Sequence, residues 1–284
     1  MFEPPVRDVV VILPAAGTGE RFSASTESEN SSSPKQFVIV GPNSLPLFIH
    51  TVNAFSRISW ISKVVLLVAD NQLEFVQTTI GSAASVESVT KTVVVAGCST
   101  RHRTIRSGVN LVAKMVPRPE VVIVHDVVRP FVEESVCKSV AMAAKSHGAA
   151  GVYAPLVSTV VSIDNKGFLA DVLPRSQFFA SEMPQGFLFA NLLLAYTSAT
   201  EEELETGTEC LALVKTYAGC HVKMLPINPN QYYKVTYERD LLAVDAMLKQ
   251  TPPVLKSSSS SDSFVVDARQ ATVCNRCNAE TDYP

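Results

Sequence analysis

Short runs of β-branched residues recur along this chain between stretches of helical spacing, and that alternation constrains the fold more than any other feature. The runs cover residues 9–13, 64–68, 92–95, 121–124 and 151–155. Strands apolar on both faces belong in a sheet covered by helices on each side. The alternation therefore predicts an α/β fold with a doubly wound, mostly parallel sheet. Residues 45–55 and 104–115 fit crossover helices. Residues 133–146 fit one more clearly, with acidic residues in the first turn, Val136, Val140 and Ala144 at helical spacing, and Gly148 just past the end. Helical patterning returns over 187–199 and 239–249.

From 156 to 179 the pattern changes to short alternating strands around Asp164-Asn165-Lys166-Gly167, a hairpin signal. Residues 156–180 are read as a small β-arm within a domain of residues 1–250. After Gln250 come Thr251-Pro252-Pro253, a serine run over 257–261 and a polar end, so 251–284 is expected to be a disordered tail. The serine-rich stretch 23–33 is expected to be a mobile loop over the site.

The chain has 284 residues, 46% of them hydrophobic, enough for a sizeable core. Its 24 Lys+Arg against 27 Asp+Glu give a formal net charge of -3, so nothing global favours a nucleic-acid partner or an anionic membrane surface. No apolar run approaches the about 18 residues that a membrane helix needs. The first residues are expected to enter a strand almost at once, so no signal or transit peptide is expected. Six scattered cysteines (Cys98, Cys137, Cys210, Cys220, Cys274 and Cys277) suit reduced thiols in the cytosol. Cys274 and Cys277 form an isolated C-x-x-C, without the second pair or histidines that a metal site would need.

Ligands of open α/β sheets bind at the carboxyl ends of the strands. After the first strand comes Leu13-Pro14-Ala15-Ala16-Gly17-Thr18-Gly19-Glu20-Arg21, followed beyond the serine stretch by Pro34-Lys35-Gln36. Small residues let backbone N–H groups approach phosphate oxygens, and Arg21 and Lys35 supply positive charge. Phe22 stands where G-x-G-x-x-G requires its third glycine, and no G-x-x-x-x-G-K-[ST] is present. The two commonest phosphate motifs are thus disfavoured.

Asp126 follows the strand 121–124 and is placed to hold Mg²⁺, or alternatively to cap a helix or pair with Arg129. Arg129 is expected to bind a substrate phosphate, and His125 to pack or hydrogen-bond. Gly97 to Arg106 follows another strand and opens a helix. Its Arg101, Arg103 and Arg106 suit either nucleotide contacts or solvated charges. Lys234 lies just before the last helix.

Taken together, residues 13–21, Pro34-Lys35-Gln36, His125-Asp126 with Arg129-Pro130, Met183-Pro184-Gln185 and Lys234-Val235-Thr236 resemble the methylerythritol phosphate cytidylyltransferase family over residues 8–249. Within it the chain is most similar to the animal branch that acts on D-ribitol 5-phosphate. That similarity rests on 148–151, 155–162, 181–185, 207–211 and 234–237.

The resemblance implies a Rossmann-like nucleotidyltransferase that makes CDP-ribitol and pyrophosphate from CTP and D-ribitol 5-phosphate with Mg²⁺, as a donor for O-mannosyl glycans. It implies that Arg21 and Lys35 stabilise the transition state. Ala15, Ala16, Gly17, Gly19, Gly97 and Thr104 would surround the nucleotide. Asp126 would lie at the metal and sugar-phosphate site, while Thr159, Arg175 and Lys234 hold the acceptor phosphate. Arg175 would reach a second subunit on the arm of a homodimer.

Ser158 stands where bacterial members have an aspartate, and Phe178-Phe179 where they have a tryptophan segment. The loop after Gly97 is one residue longer than usual, and where animal members carry a further carboxyl-terminal domain only a short polar tail is expected here. Two other readings are a methylerythritol phosphate cytidylyltransferase and a catalytically silent nucleotide-binding homologue.

Overall fold

The computed structural model describes residues 8–18, 22, 34–228 and 233–250. Seven strands form one sheet: β1 (Val9–Ala15), β4 (Ile61–Val68), β5 (Thr92–Ala96), β6 (Val121–Val124), β7 (Ala149–Pro155), β10 (Phe179–Leu188) and β11 (Lys223–Pro226). Their order across the sheet is β11-β7-β10-β6-β1-β4-β5. Every neighbouring pair is parallel except the two made by β10, which runs against β6 and β7. All five strands expected from the apolar runs are present.

The sheet is covered on both faces. Val9, Val11 and Leu13 of β1 join one buried cluster with the helices α1 (Leu47–Ser56), α2 (Leu73–Ala83) and α5 (Glu134–His147). Val10 and Ile12 join a second cluster with α4 (Arg101–Ala113), α6 (Phe189–Ser198) and α8 (Cys210–Ala218). β4 and β6 alternate in the same way, as strands buried on both faces must. The elements that went unread in the sequence include β10 and β11, the two-residue strands over 39–40 and 45–46, α2, α8, and the short helices α3 (Val86–Lys91) and α7 (Glu201–Thr206).

Expected helix starts shift: the helix expected from 45 begins at Leu47, because Leu45 and Pro46 pair with Val40 and Ile39, and the one expected from 104 begins at Arg101. Helical spacing from 187 suggested a helix there, but Phe187 and Leu188 close β10. Phe187 pairs with Val122 and Ala149 and is fully buried, so the ladder holds it and α6 begins at Phe189.

Between β7 and β10 the chain makes the hairpin of β8 (Val160–Ile163) and β9 (Leu169–Leu173). The Asp164 carboxylate accepts the N–H groups of Lys166 and Phe168, each at 2.9 Å, and Gly167 takes a φ of 86°. Only a residue without Cβ adopts that turn at no steric cost. The hairpin exposes Val161, Ile163, Phe168, Leu169 and Val172. The remaining strand pair, β2 (Ile39–Val40) with β3 (Leu45–Pro46), leads into α1. The mobile loop expected over 23–33 and the disordered tail expected over 251–284 lie outside the described residues.

Candidate active site

A cavity of about 340 Å³ opens at the carboxyl ends of the parallel strands, a volume within the range of small-ligand sites. One wall is the turn after β1, with Ala15, Ala16, Gly17 and Thr18. Buried Gln36 fixes this turn by donating from Nε2 to the carbonyls of Ala15 (2.9 Å) and Gly17 (3.1 Å). Gln36 belongs to a single helical turn, Lys35–Phe37, which Phe37 anchors by edge-to-face contacts with Phe48 and Phe75. The same turn puts Lys35 on the cavity wall, where its Nζ donates to the Val235 carbonyl at 2.9 Å.

A second wall is the loop from β5 into α4. Thr104, almost fully buried, donates its hydroxyl to the Cys98 carbonyl and accepts the Cys98 N–H, both at 3.0 Å. Gly97 does not line the cavity but sits behind it. A Cβ there would come within 2.6 Å of the Ala16 Cβ and 3.0 Å of the Thr104 side chain, so this glycine is where the two loops touch. The amino-terminal end of α4, capped by Thr100, opens on the cavity and presents a positive dipole end.

Asp126, just past β6, gathers the charge. Its Oδ1 meets Arg101 at 3.2 Å, and its Oδ2 meets Lys234 at 2.8 Å and Arg129 at 3.3 Å. Burial opposes ionisation of this carboxyl, but Arg101, Lys234 and Arg129 outweigh it and hold it well below the usual carboxylate range. Lys234 reaches this point because fully buried Val235 donates its N–H to the Val128 carbonyl, and Asp240 accepts the N–H groups of Thr236 and Tyr237. His125 is packing, as expected. Its Nε2 donates to the Arg129 carbonyl at 3.1 Å and its ring meets Phe55 edge to face.

The structure thus brings together Ala15, Ala16, Gly17, Lys35, Thr104, Asp126 and Lys234 around one cavity. Arg129 stands behind Asp126, almost buried, with its other nitrogen 2.6 Å from Glu182. Thr159 and Arg175 are exposed residues of the arm and do not line the cavity. The Arg175 guanidinium donates to the Val157 carbonyl at 2.9 Å. Gly19, Arg21 and the Cys274–Cys277 pair lie outside the described residues. Of the three arginines of α4, Arg101 reaches the cavity, whereas Arg103 and Arg106 pair with surface glutamates.

Sequence reasoning gave no role to Gln36, although it stands in a quoted motif, and none to Glu182. Among the described residues no group of three histidine, cysteine or acidic side chains is placed to hold a metal. A lone carboxylate beside cationic groups suits a magnesium ion that arrives on phosphates, since such ions use one or two carboxylates and keep phosphate and water as their other ligands. None of the described helices is long and apolar enough to cross a membrane.

Residues 9–250 match the family described as 2-C-methyl-D-erythritol 4-phosphate cytidylyltransferase. A D-ribitol-5-phosphate cytidylyltransferase of Xenopus tropicalis is 41% identical over 85% of this chain, which covers 57% of that relative and so spans little more than half its length. A 2-C-methyl-D-erythritol 4-phosphate cytidylyltransferase of Syntrophus aciditrophicus is 30% identical over 85% of the chain and is covered over 96% of its own. The crystal structure of 4-diphosphocytidyl-2C-methyl-D-erythritol synthase from Anaerococcus prevotii superposes with a TM-score of 0.67 at 20% identity, covering 85% of this chain and 96% of that one.

Proposed function

This chain belongs to the 2-C-methyl-D-erythritol 4-phosphate cytidylyltransferase (IspD) family, and on that premise we propose that it transfers CMP from CTP to D-ribitol 5-phosphate. The single observation that carries the chemistry is the cavity in which Arg101 and Lys234 pair with the Asp126 carboxylate while Lys35 stands on the same wall beside a backbone turn. The choice of acceptor rests on the 41% identity to the Xenopus tropicalis relative.

A phosphate oxygen of the acceptor attacks the α-phosphorus of CTP in line. The bond from that phosphorus to the oxygen bridging the β-phosphate breaks, and pyrophosphate leaves. A phosphate monoester has its second pKa near about 6, so the nucleophile is ionised at neutral pH and no protein base is needed. The protein's work is to hold two anions together and to meet charge that grows on the α-phosphate and pyrophosphate. Lys35 would serve the nucleotide phosphates and Lys234 the acceptor phosphate, with Arg21 assigned to the first task from the sequence alone. When bound, Mg²⁺ would neutralise the triphosphate, with Asp126 as its protein ligand.

Two copies are proposed to pair through the arm, supported by its exposed Val161, Ile163, Phe168, Leu169 and Val172. Cytosolic residence is supported by the free thiols of Cys98, Cys137, Cys210 and Cys220. CDP-ribitol would then serve as the donor for O-mannosyl glycans. The second reading, methylerythritol 4-phosphate as acceptor, is favoured by the near-complete coverage of the Syntrophus aciditrophicus relative.

Pyrophosphate release with CTP, Mg²⁺ and either polyol phosphate separates the readings. Faster release with ribitol 5-phosphate is expected, and faster release with methylerythritol 4-phosphate selects the second. Nucleotide binding without release from either would identify a silent homologue.

A further inference from the structure

Arg101 breaks a local rule. It stands at the first position of α4, whose first turn holds no acidic residue, so its charge opposes the helix dipole. A charge in an unfavourable place calls for something that holds it there.

Its guanidinium is forked between two sets of acceptors. Nη2 donates to Asp126 Oδ1 at 3.2 Å. Nη1 donates to the Thr208 carbonyl at 3.3 Å and to Cys210 Sγ at 3.4 Å. Burial pushes the fully buried Cys210 thiol up, so it stays protonated and neutral. The thiol also meets the Tyr196 hydroxyl at 3.2 Å, and that hydroxyl meets His102 Nδ1 at 2.8 Å. The Thr208–Cys210 turn is held from β10 as well, because the Glu209 carboxylate accepts from Gln185 Nε2 at 2.7 Å and from Ser181 Oγ at 2.8 Å. One end of the fork is thus set in a packed frame while the other turns a carboxylate.

The turned carboxylate has a second oxygen, and that oxygen holds Lys234 on the cavity wall. We infer that Arg101 is a positioning residue, which fixes the plane of Asp126 and through it the place of Lys234 opposite the reacting phosphates. A lysine cannot replace it, because an ammonium is a point charge that does not span two acceptor sets in one plane.

This inference rests on the proposed cytidylyl transfer, and its test keeps the two separate. Pyrophosphate release is followed with CTP, Mg²⁺ and ribitol 5-phosphate for the wild type, Arg101→Gln, Arg101→Lys, Asp126→Asn and the double variant Arg101→Gln/Asp126→Asn. Arg101→Gln is expected to lower kcat/KM for the acceptor about tenfold or more, on the scale of a misplaced reacting group, with a smaller change in the KM for CTP. Arg101→Lys is expected to recover only part of the loss. With Asp126→Asn already present, Arg101→Gln is expected to cost at most about threefold, because contacting residues that act as one unit are not additive.

Wild-type kinetics in Arg101→Gln, full rescue by lysine, or costs that multiply in the double variant would each overturn the inference. Near-UV circular dichroism and melting show whether the glutamine variant folds. Where it does not, Arg101→Lys alone decides: partial loss supports the inference, and wild-type activity sinks it. A wild type that releases no pyrophosphate with either polyol phosphate defeats the functional reading itself, and the inference with it.

Discussion

The cavity wall and the β-arm are built in opposite ways. Around the cavity, each of these polar groups is fixed by an interior partner: Gln36 by two carbonyls, Lys35 by the Val235 carbonyl, Asp126 by three cations. On the arm, Thr159 and Arg175 are exposed, and the hairpin turns its apolar side chains outward. The contrast teaches that the cavity's groups are held in place within one chain, whereas the arm leaves its apolar side chains facing outward. Preorganised donors are what charge stabilisation requires. An exposed apolar hairpin is what association requires.

The largest effect is expected where preorganisation is deepest. Lys35→Ala should lower turnover about a hundredfold or more with the fold intact. Normal turnover in a folded variant would remove Lys35 from the chemistry. Next in size is Gly97→Val, which forces a side chain between Ala16 and Thr104. It should cost about 1–3 kcal/mol in denaturant unfolding and raise the KM for CTP, and an unchanged KM would show that the two loops are not held by their mutual contact.

A pH experiment probes the frame behind the cavity. Burial, and then the charge of Arg101, lower the His102 pKa from 6.5 to about 4, so the folded ring is neutral where the unfolded one takes up a proton. Its contribution to stability is complete above pH 6.5 and is lost as pH falls from there to about 4. His102→Gln should flatten that part of the stability profile, and an unaltered slope would mean other groups set it. The smallest effect on folding belongs to the arm. Ile163→Ser with Leu169→Ser should change unfolding free energy by no more than about 0.5 kcal/mol yet shift the molecular mass seen by light scattering toward the monomer. A stability loss of several kcal/mol would mean the arm is part of the core.

Legibility in the sequence followed burial. The β-branched runs announced five strands because a strand covered on both faces is apolar at every position. β11 was missed because Lys223 and Pro226 are exposed, and Met224 and Leu225 alone make no run. α7 was missed because Thr200 and Glu203, which form its capping box, stand in an acidic stretch with only Leu204 buried. At the site, the small-residue turn and Lys35 were legible as types suited to phosphates and Asp126 as one suited to a magnesium ion, whereas Lys234 took its role from the family resemblance. Their partners were not. That Gln36 holds the turn, that Glu182 meets Arg129, and that Arg101 rather than Arg103 reaches Asp126 depend on rotamers and distances between segments far apart in the chain.

The reversed direction of β10 has a consequence of its own. Because β7 ends at Pro155 and β10 pairs Phe179 beside it, the chain leaves and re-enters the sheet at neighbouring points on one edge. Everything between is an insertion into what would otherwise be a plain hairpin. Such a segment can be lengthened or shortened without rewiring any other strand of the sheet, so the arm can vary in length while the cavity stays as it is.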